Sequence, residues 1–371
     1  METTLHEAAG AAGAIERPGE LWAGRFLTGL GSALDAAVMR VVQMVAEHAL
    51  IPGSRDLHAL RDSAKSALSP ELQSEPRRFF GFLDDPSHAL QVKRRVRRRM
   101  PGGIVMACRI QSDYRPYHPE IPPSKGPILL EHWVHDTRRP RGTVLALHGF
   151  GMGQPRIDAA VLFASHWFRR GLDVALLTMP HHGARSPAGV QIPGGPFALP
   201  HVARLGEAMR ETIFEIRRLT HWLRQESDRP VGVIGISLGG YLAALSAALC
   251  EDLDFVVPIA PPVCIGDLAW RVLTRTRHYR QGRATALSEE ELRNAFRVHS
   301  PLAHPLRVAK ERVLIVAGRG DRIVPPEHPR ALWRHWGEPD IHWFSGGHLT
   351  PFGRGRIAGA ILRHLESIDI A

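Results

Sequence analysis

The chain has 371 residues, of which 44% are hydrophobic and 23% are charged. These values are ordinary for a globular protein and exclude a disordered, collagen-like or coiled-coil chain. Its three cysteines exclude a disulfide scaffold, and its first residues lack the basic and apolar regions of a secretory signal. We therefore expect a cytoplasmic protein.

The formal net charge of +10 raises the question of an anionic partner. The basic residues are spread along the chain, with one dense cluster at 93–99. We interpret this cluster as a solvated surface near a domain joint; contact with nucleic acid or with an anionic membrane surface is the alternative. Because no zinc-finger, RRM or basic-zipper pattern accompanies it, we expect no nucleic-acid partner.

Residues 21–50 have the pattern of one long amphipathic helix. Apolar residues recur every three or four positions, namely Phe26, Leu30, Leu34, Val38, Val41, Val45 and Ala49. Interrupting charges, among them Arg25 and Asp35, exclude a membrane span. We expect the apolar stripe to pack on the protein's own core, with an interfacial helix as the alternative. Residues 1–100 are interpreted as a helical N-terminal extension.

From residue 101 onward, short apolar runs alternate with helical patterns. The runs lie at 103–109, 129–134, 143–148, 172–178, 231–236, 254–259, 312–317 and 341–344. Helical patterns lie near 156–170, 202–226, 238–250, 289–297, 327–336 and 354–366, and Ser288 with Glu291 predicts a capping box. Continuous apolar runs indicate strands covered on both faces. The sequence therefore predicts a mostly parallel, eight-stranded sheet with helices on both faces, entered through an antiparallel strand pair.

The run 231–236 leads into Gly235-Ile236-Ser237-Leu238-Gly239 and then an apolar helix. This is a G-x-S-x-G nucleophile elbow in its strand–turn–helix setting. The flanking glycines let strand and helix approach closely, so that the serine projects above the carboxyl edge of the sheet. Ser237 is therefore the predicted nucleophile.

A serine hydroxyl needs a base within hydrogen-bond reach, and the base needs an acid that orients it. His348 follows the run 341–344 in a glycine-rich loop, and Asp321 follows the run 312–317. Both positions come after strand ends and in the chain order serine, acid, histidine. We assign His348 as the base and Asp321 as the acid, with Glu327 and Asp267 as reserve candidates for the acid.

Two backbone donors are expected to bind the oxyanion of a tetrahedral intermediate. One is the N–H of Leu238, directly after the nucleophile. The other is expected in the loop His148-Gly149-Phe150-Gly151-Met152-Gly153, where we choose Phe150 and keep Gly151 in reserve. The same glycines do not form a dinucleotide site, because the third position of G-x-G-x-x-G is occupied by Gln154.

Several histidines near the predicted site need an interpretation. His148 is expected to hold the oxyanion loop, and His148, Gly151, His181 and His182 are candidates for the substrate cleft. Neither histidine pair, His181–His182 or His132–His135, has the partner pattern of a zinc site. We therefore predict no metal and no cofactor.

Five segments, LALHGFGMG, MPHHGARSP, GISLGG, AGRGDRIVPPEH and SGGHLTPF, resemble successive signatures of the α/β-hydrolase fold superfamily, specifically its serine esterase and lipase-like members. The resemblance covers about residues 101–371. The loop 179–185 is similar to that of the α/β-hydrolase domain-containing protein 18 group. The resemblance implies an α/β-hydrolase catalytic domain at 101–371 and a small-molecule or lipid-like acyl ester as substrate.

The sequence thus favours a serine esterase that works through an acyl-enzyme. A thioesterase, lactonase or peptidase on the same triad remains an alternative within the class. The alternative from another class is a non-catalytic protein that contacts a membrane surface weakly through the 21–50 helix and the 93–99 cluster. Insertions near 183–201 and 260–300 are expected to form a lid over the substrate; the first is apolar at Val190, Ile192, Phe197 and Leu199. The oligomeric state stays open.

Overall fold

A computed structural model describes residues 18–45, 62, 64, 70–84, 89–187, 194, 201–281 and 288–370, with the side chains of the first helix described at 24–40. Its centre is a nine-stranded sheet in the order β1-β2-β3-β5-β4-β6-β7-β8-β9. The strands are β1 Val92–Met100, β2 Gly103–Ile110, β3 Ile128–His135, β4 Gly142–Leu147, β5 Leu172–Thr178, β6 Val231–Ile236, β7 Val256–Ile259, β8 Leu314–Gly318 and β9 Asp340–Phe344.

All eight predicted runs form strands. β2 pairs antiparallel with β3, as expected, and the strands from β5 to β9 pair in parallel. The sheet nevertheless has nine strands rather than eight, because the basic residues 92–100 form β1 at its edge. The last part of the expected helical extension is therefore a strand. An edge strand with one partner does not need the apolar run on which the prediction relied.

Helices cover both faces of the sheet. They are α1 Pro18–Val45, α2 Pro70–Ser74, α3 Pro155–Val161, α4 Ala164–Arg169, α5 Val202–Ser227, α6 Leu238–Leu249, α7 Ile265–Leu273, α8 Arg277–Arg280, α9 Glu289–Ala295, α10 Glu327–His335 and α11 Arg354–Ser367. Short 3-10 helices lie at Pro76–Asp84, Gly183–Arg185, Arg297–His299, Pro301–Ala303 and Lys310–Arg312. The predicted capping box of Ser288 and Glu291 begins α9.

Two apolar cores lie on opposite faces of the sheet. In β4, Leu145 and Leu147 belong to the core that packs against α5 and α6, whereas Val144 and Ala146 belong to the core against α4 and α11. This alternation explains why β4 and β5 are buried at every position: each face meets a helix layer. The continuous apolar runs therefore predicted the parallel part of the sheet correctly.

Most residues of β1 are basic, and all but the first and the last of them are exposed. Arg94 pairs with Glu226 at 2.7 Å and its guanidinium lies 5.4 Å from the ring centroid of Trp222, while the guanidinium of Arg98 lies 4.9 Å from that of Trp133. Part of the 93–99 cluster thus covers aromatic side chains of β3 and α5. Charged edge strands also resist pairing with another chain.

The orientation of α1 is the reverse of the expected one. Phe26 is 72% exposed and Leu30 and Leu34 are each 44% exposed, whereas Gly31 and Asp35 are buried. The expectation that the apolar stripe packs on the core is therefore wrong for these residues. The helix approaches loop backbones so closely that only small or hydrogen-bonding side chains fit, as described below. No helix in the described parts of the chain combines the length and apolarity that crossing a bilayer requires.

Candidate active site

Ser237 stands between the end of β6 and the start of α6. Its backbone has φ 57° and ψ −116°, a strained conformation for a non-glycine residue. A Cβ at Gly235 would collide with the carbonyl oxygen of Gly239, and a Cβ at Gly239 would collide with that of Leu147. These two glycines permit the sharp turn that holds the serine at the carboxyl edge of the sheet.

The structure brings the three residues predicted as a triad into one hydrogen-bonded chain. The Nε2 atom of His348 lies 2.8 Å from Oγ of Ser237, and its Nδ1 lies 2.6 Å from Oδ2 of Asp321. The other carboxylate oxygen of Asp321 accepts from the backbone N–H of Ile323 and Val324. With the Nδ1 proton donated to Asp321, the Nε2 lone pair faces the serine hydroxyl, as a general base requires.

The two reserve acids lie elsewhere. Glu327 is the first residue of α10, and Asp267 pairs with Arg293 between α7 and α9. Asp321 is thus the acid that the structure places beside the imidazole.

The loop 148–153 lies beside Ser237. A Cβ at Gly149 would be 3.6 Å from Cβ of Ser237, and the N–H of Met152 closes a turn on the carbonyl of Gly149 at 3.3 Å. Gly151 has φ +76° and is exposed. The backbone of Phe150 and the first helical residue, Leu238, are therefore on segments that border Ser237, where the sequence predicted two oxyanion donors.

His148 connects this loop to the next strand. Its Nδ1 donates to the carbonyl of Gly149 at 2.8 Å, and its Nε2 accepts from the N–H of Met179 at 3.1 Å. Burial, together with nearby His182, lowers the pKa of His148 to about 3, so the ring is neutral at physiological pH. His148 thus links the loop 148–153 to the residue that follows β5.

The histidines expected to line a cleft lie mostly below the surface. His148 and His182 expose none of their surface, and His181 exposes 9%. The ring of His182 packs edge-on against those of His148 and Phe150, with centroid distances of 5.0 and 6.0 Å. The cleft assignment of His148 and His182 is thus corrected: both rings are buried among contacts of the loop 148–153 with the loop after β5.

Arg185 anchors the loop 179–186 that carries these histidines. Its guanidinium forms two hydrogen bonds of 2.7 and 2.6 Å with Glu215 and donates to the carbonyl of Thr178 and to Oγ of Ser124. Burial, with the charge of Glu215 beside it, raises the pKa of neighbouring Glu211 to about 7. This buried network of hydrogen bonds and charges anchors the loop 179–186.

Sequence reasoning assigned no role to three buried charged residues near the site: Asp35, Asp158 and Arg185. Asp158 accepts from the N–H of Gly153 at 3.3 Å, and burial raises its pKa to about 6. For Asp35 and Asp158, the only signal in the sequence was a charge inside an otherwise apolar helical segment. Such a charge is equally typical of a solvated position.

A cavity with a volume of about 1110 Å³ lies between α1 and the ends of β8 and β9. Asp321 and Ser345 border it, whereas Ser237 is not among its lining residues. Five arginines line it, which gives it a positive field: Arg25, Arg271, Arg319, Arg322 and Arg356. Within the described ranges, no three His, Cys, Asp or Glu side chains are arranged to hold a metal ion.

Comparisons with known proteins agree with this architecture. Residues 133–265 match the family model "Alpha/beta hydrolase domain containing 18", and residues 210–358 match the model "Serine hydrolase (FSH1)". The chain has the α/β-hydrolase fold. The resemblance to the domain-containing 18 group, inferred from the loop 179–185, is thereby confirmed, and the second match includes all three triad positions.

Solved structures and curated relatives extend the comparison. Acetyl xylan esterase 1 from Thermoanaerobacterium sp. JW/SL YS485 is 16% identical with a TM-score of 0.57, covering 80% of this chain and 93% of that one. An acetyl xylan esterase from Paenibacillus sp. R4 is 14% identical with a TM-score of 0.58, covering 80% and 94%. The uncharacterized protein Rv2627c of Mycobacterium tuberculosis is 35% identical over 231 residues, 61% of this chain and 52% of the relative. The chain thus spans about half the length of that relative.

Proposed function

We propose that this protein is a serine hydrolase that cleaves an acyl ester through an acyl-enzyme. The observation that carries the proposal is the hydrogen-bonded chain from Asp321 through His348 to Ser237 at a strained elbow. The match of residues 210–358 to a serine hydrolase family model supports the same reaction class.

In this mechanism Oγ of Ser237 attacks the ester carbonyl carbon while Nε2 of His348 takes the hydroxyl proton. The oxyanion is bound by the backbone N–H groups of Leu238 and Phe150. The carbonyl re-forms and expels the alcohol, which receives the proton from His348 and leaves the acyl group on Ser237. Water, deprotonated by His348, then attacks the acyl-enzyme and releases the acid. Asp321 holds the imidazole and stabilises its positive form throughout.

The substrate proposed is a small-molecule or lipid-like ester; a thioester, a lactone or a peptide would use the same residues. Insertions at 183–201 and 260–300 are proposed to shape the substrate site. In the second insertion, α7 packs on α9, with Gly266 against the backbone of Arg293. The apolar residues expected in the first insertion, Val190, Ile192, Phe197 and Leu199, lie outside the described residues, as do residues 282–287.

A second candidate function is weak docking on a membrane surface. The exposed Phe26, Leu30 and Leu34 of α1 favour it. However, α1 contacts the loops after β8 and β9, whereas the basic strand β1 is at the opposite edge of the sheet. One flat surface would not engage both easily. Co-sedimentation with anionic vesicles at low salt, before and after Phe26→Ser with Leu30→Ser, tests the helix separately from the basic strand.

The decisive experiment is labelling by a fluorophosphonate probe of wild type and Ser237→Ala side by side, followed by p-nitrophenyl esters of graded chain length. We expect labelling and turnover of the wild type only, with the wild type and Ser237→Ala equally folded by circular dichroism. Equal labelling of Ser237→Ala would contradict the assignment of the nucleophile. Absence of labelling and of ester turnover in a folded wild type would contradict the hydrolase proposal and move the docking function ahead.

A further inference from the structure

Helix α1 lies directly on the two loops that carry Asp321 and His348. A Cβ at Gly31 would collide with the backbone nitrogen of Gly347, and a Cβ at Gly320 would lie 2.7 Å from the carbonyl oxygen of Thr28. The hydroxyl of Thr28 also accepts from the N–H of Gly346 at 3.4 Å. The helix and both loops therefore meet backbone to backbone, with no room for larger side chains.

At the centre of this contact is Asp35, whose side chain has no exposed surface. Its Oδ2 accepts from the backbone N–H of His348 at 2.5 Å and of Arg322 at 3.1 Å, and its Oδ1 accepts from the N–H of Leu349 at 3.1 Å. One buried carboxylate thus binds three amides, two from the histidine loop and one from the loop of the triad acid. Hydrogen bonds to an ionised acceptor are the stronger kind, and their loss leaves buried amides unpaired.

The histidine loop has little regular structure to hold it otherwise. Between β9 and α11 its pairing is the bridge from Gly346 to Pro351, and the N–H of Gly320 donates to the carbonyl of Gly346 at 2.9 Å; Gly346 has φ +114°. His348 lies between Gly346 and Pro351, and the amides bound by Asp35 belong to His348 itself and to its neighbour Leu349. The position of the imidazole along the loop therefore depends on the carboxylate beneath it.

We propose that Asp35 is a positioning residue of the active site: it aligns His348 between Asp321 and Ser237 by binding the backbone of both loops. By this inference helix α1, which belongs to the N-terminal extension, contributes to catalysis by positioning the loop of His348. The catalytic part of the inference rests on the proposed hydrolase function. The structural part, that Asp35 orders the loop, does not.

The test compares Asp35→Ala with Leu34→Ala, which removes side-chain volume at a neighbouring position of the same helix that is 44% exposed. Hydrogen–deuterium exchange of the segment 345–351 reports the order of the loop whatever the activity. We expect faster exchange there in Asp35→Ala and no change in Leu34→Ala. Unchanged exchange in Asp35→Ala would overturn the inference.

The second readout is the rate of fluorophosphonate labelling, with kcat and KM for a p-nitrophenyl ester, at a temperature where every variant is folded by circular dichroism. Because Asp35 does not touch substrate, we expect kcat and the labelling rate to fall about 100-fold, the effect of a displacement near 1 Å, with KM unchanged. Faster exchange with an unchanged labelling rate would also overturn the inference.

Asp35→Asn keeps the shape and one acceptor oxygen, so its labelling rate should lie between those of wild type and Asp35→Ala. It provides the same comparison if Asp35→Ala does not fold. A wild type that is folded but not labelled would refute the proposed function alone, because the exchange experiment still decides whether Asp35 orders the loop.

Discussion

The nucleophile and the base of the candidate site are held in two different ways. Ser237 is fixed by its immediate neighbours: a strand ends before it, a helix begins after it, and Gly235 and Gly239 let the two approach. His348 is in a loop with one bridge of its own and is held by Asp35, 313 residues away in the chain. One half of the site is therefore specified locally, and the other half depends on a long-range contact.

This difference has consequences for how each half can fail. A change at the elbow disturbs β6 and α6 in the middle of the sheet, so it should cost the stability of the whole domain. A change at the α1 contact releases one surface loop, so it should cost catalysis more than stability.

The largest effect is expected from Asp321→Asn, which acts where the two halves meet. The asparagine can still accept from Ile323 and Val324, but it favours the wrong tautomer of His348. We expect kcat for a p-nitrophenyl ester to fall by about 10⁴-fold with the fold retained. Glu327→Gln, at the reserve acid, is the matched control and should leave kcat unchanged; an equal loss in both variants would contradict the choice of Asp321.

Gly239→Val tests the local half. Its side chain, at the start of α6, would collide with the carbonyl oxygen of Leu147 at the end of β4. We expect a loss of about 3 kcal/mol in the free energy of unfolding, measured by urea denaturation. Gly355→Ala is the control, because nothing lies within 4 Å of a Cβ there and α11 should gain helix propensity. Wild-type stability of Gly239→Val would show that the elbow is not locally constrained.

Gly31→Ala tests the long-range half from the helix side. The added Cβ would push against the backbone of Gly347, so we expect a loss of about 1 kcal/mol in unfolding free energy and a fluorophosphonate labelling rate about 10-fold lower. Gly29→Ala, on the same helix with open space around its Cβ, should label at the wild-type rate. If both variants label alike, α1 does not act through the loop contact.

The smallest effect on labelling should come from His132, which belongs to neither half. Burial lowers the pKa of His132 to about 3 from its usual 6.5, so the folded protein holds a neutral ring that the unfolded chain protonates. The stability this contributes is fully present above pH 6.5 and is lost as the pH falls toward 3.

Between pH 6 and 4, the unfolding free energy of His132→Leu should therefore fall less steeply with decreasing pH than that of the wild type. The difference in slope should be at most about 1.4 kcal/mol per pH unit. Urea denaturation across that range measures it. Buried Asp158 and Glu211, whose pKa values are raised, act in the opposite direction in both proteins and cancel in the comparison. The labelling rate at pH 7 should be unchanged; a reduced rate would mean that any core change disturbs the site.

Much of the fold could be predicted because its central strands are mostly apolar and lack the alternation of a half-exposed strand, a pattern typical of a sheet covered on both faces. β1 escaped prediction because an edge strand needs no such pattern, and its basic residues resemble a solvated surface. For α1, the wrong face of the helix was predicted to pack on the rest of the protein. Hydrophobic periodicity locates a helix but does not say that Gly31 and Asp35, rather than Leu30 and Leu34, meet the protein.

The positions of Ser237, Asp321 and His348 were predictable since each lies shortly after the end of a strand, and parallel strands end at one edge of the sheet. The roles of Asp35, Asp158 and Arg185 were not, because a buried carboxylate or guanidinium is recognised by its partners rather than by its neighbours in sequence. The same reason explains why His148 and His182 were wrongly assigned to the cleft. Their burial depends on contacts between loops that are distant in the sequence.

The sequence by itself determined the α/β architecture, the elbow and the chain order of the serine, acid and histidine, because these depend on periodicity and on short glycine-containing turns. Only the tertiary structure decided which face of α1 packs and what holds His348. Those outcomes depend on a carboxylate meeting three amides from distant loops, and no local pattern of residues encodes that encounter.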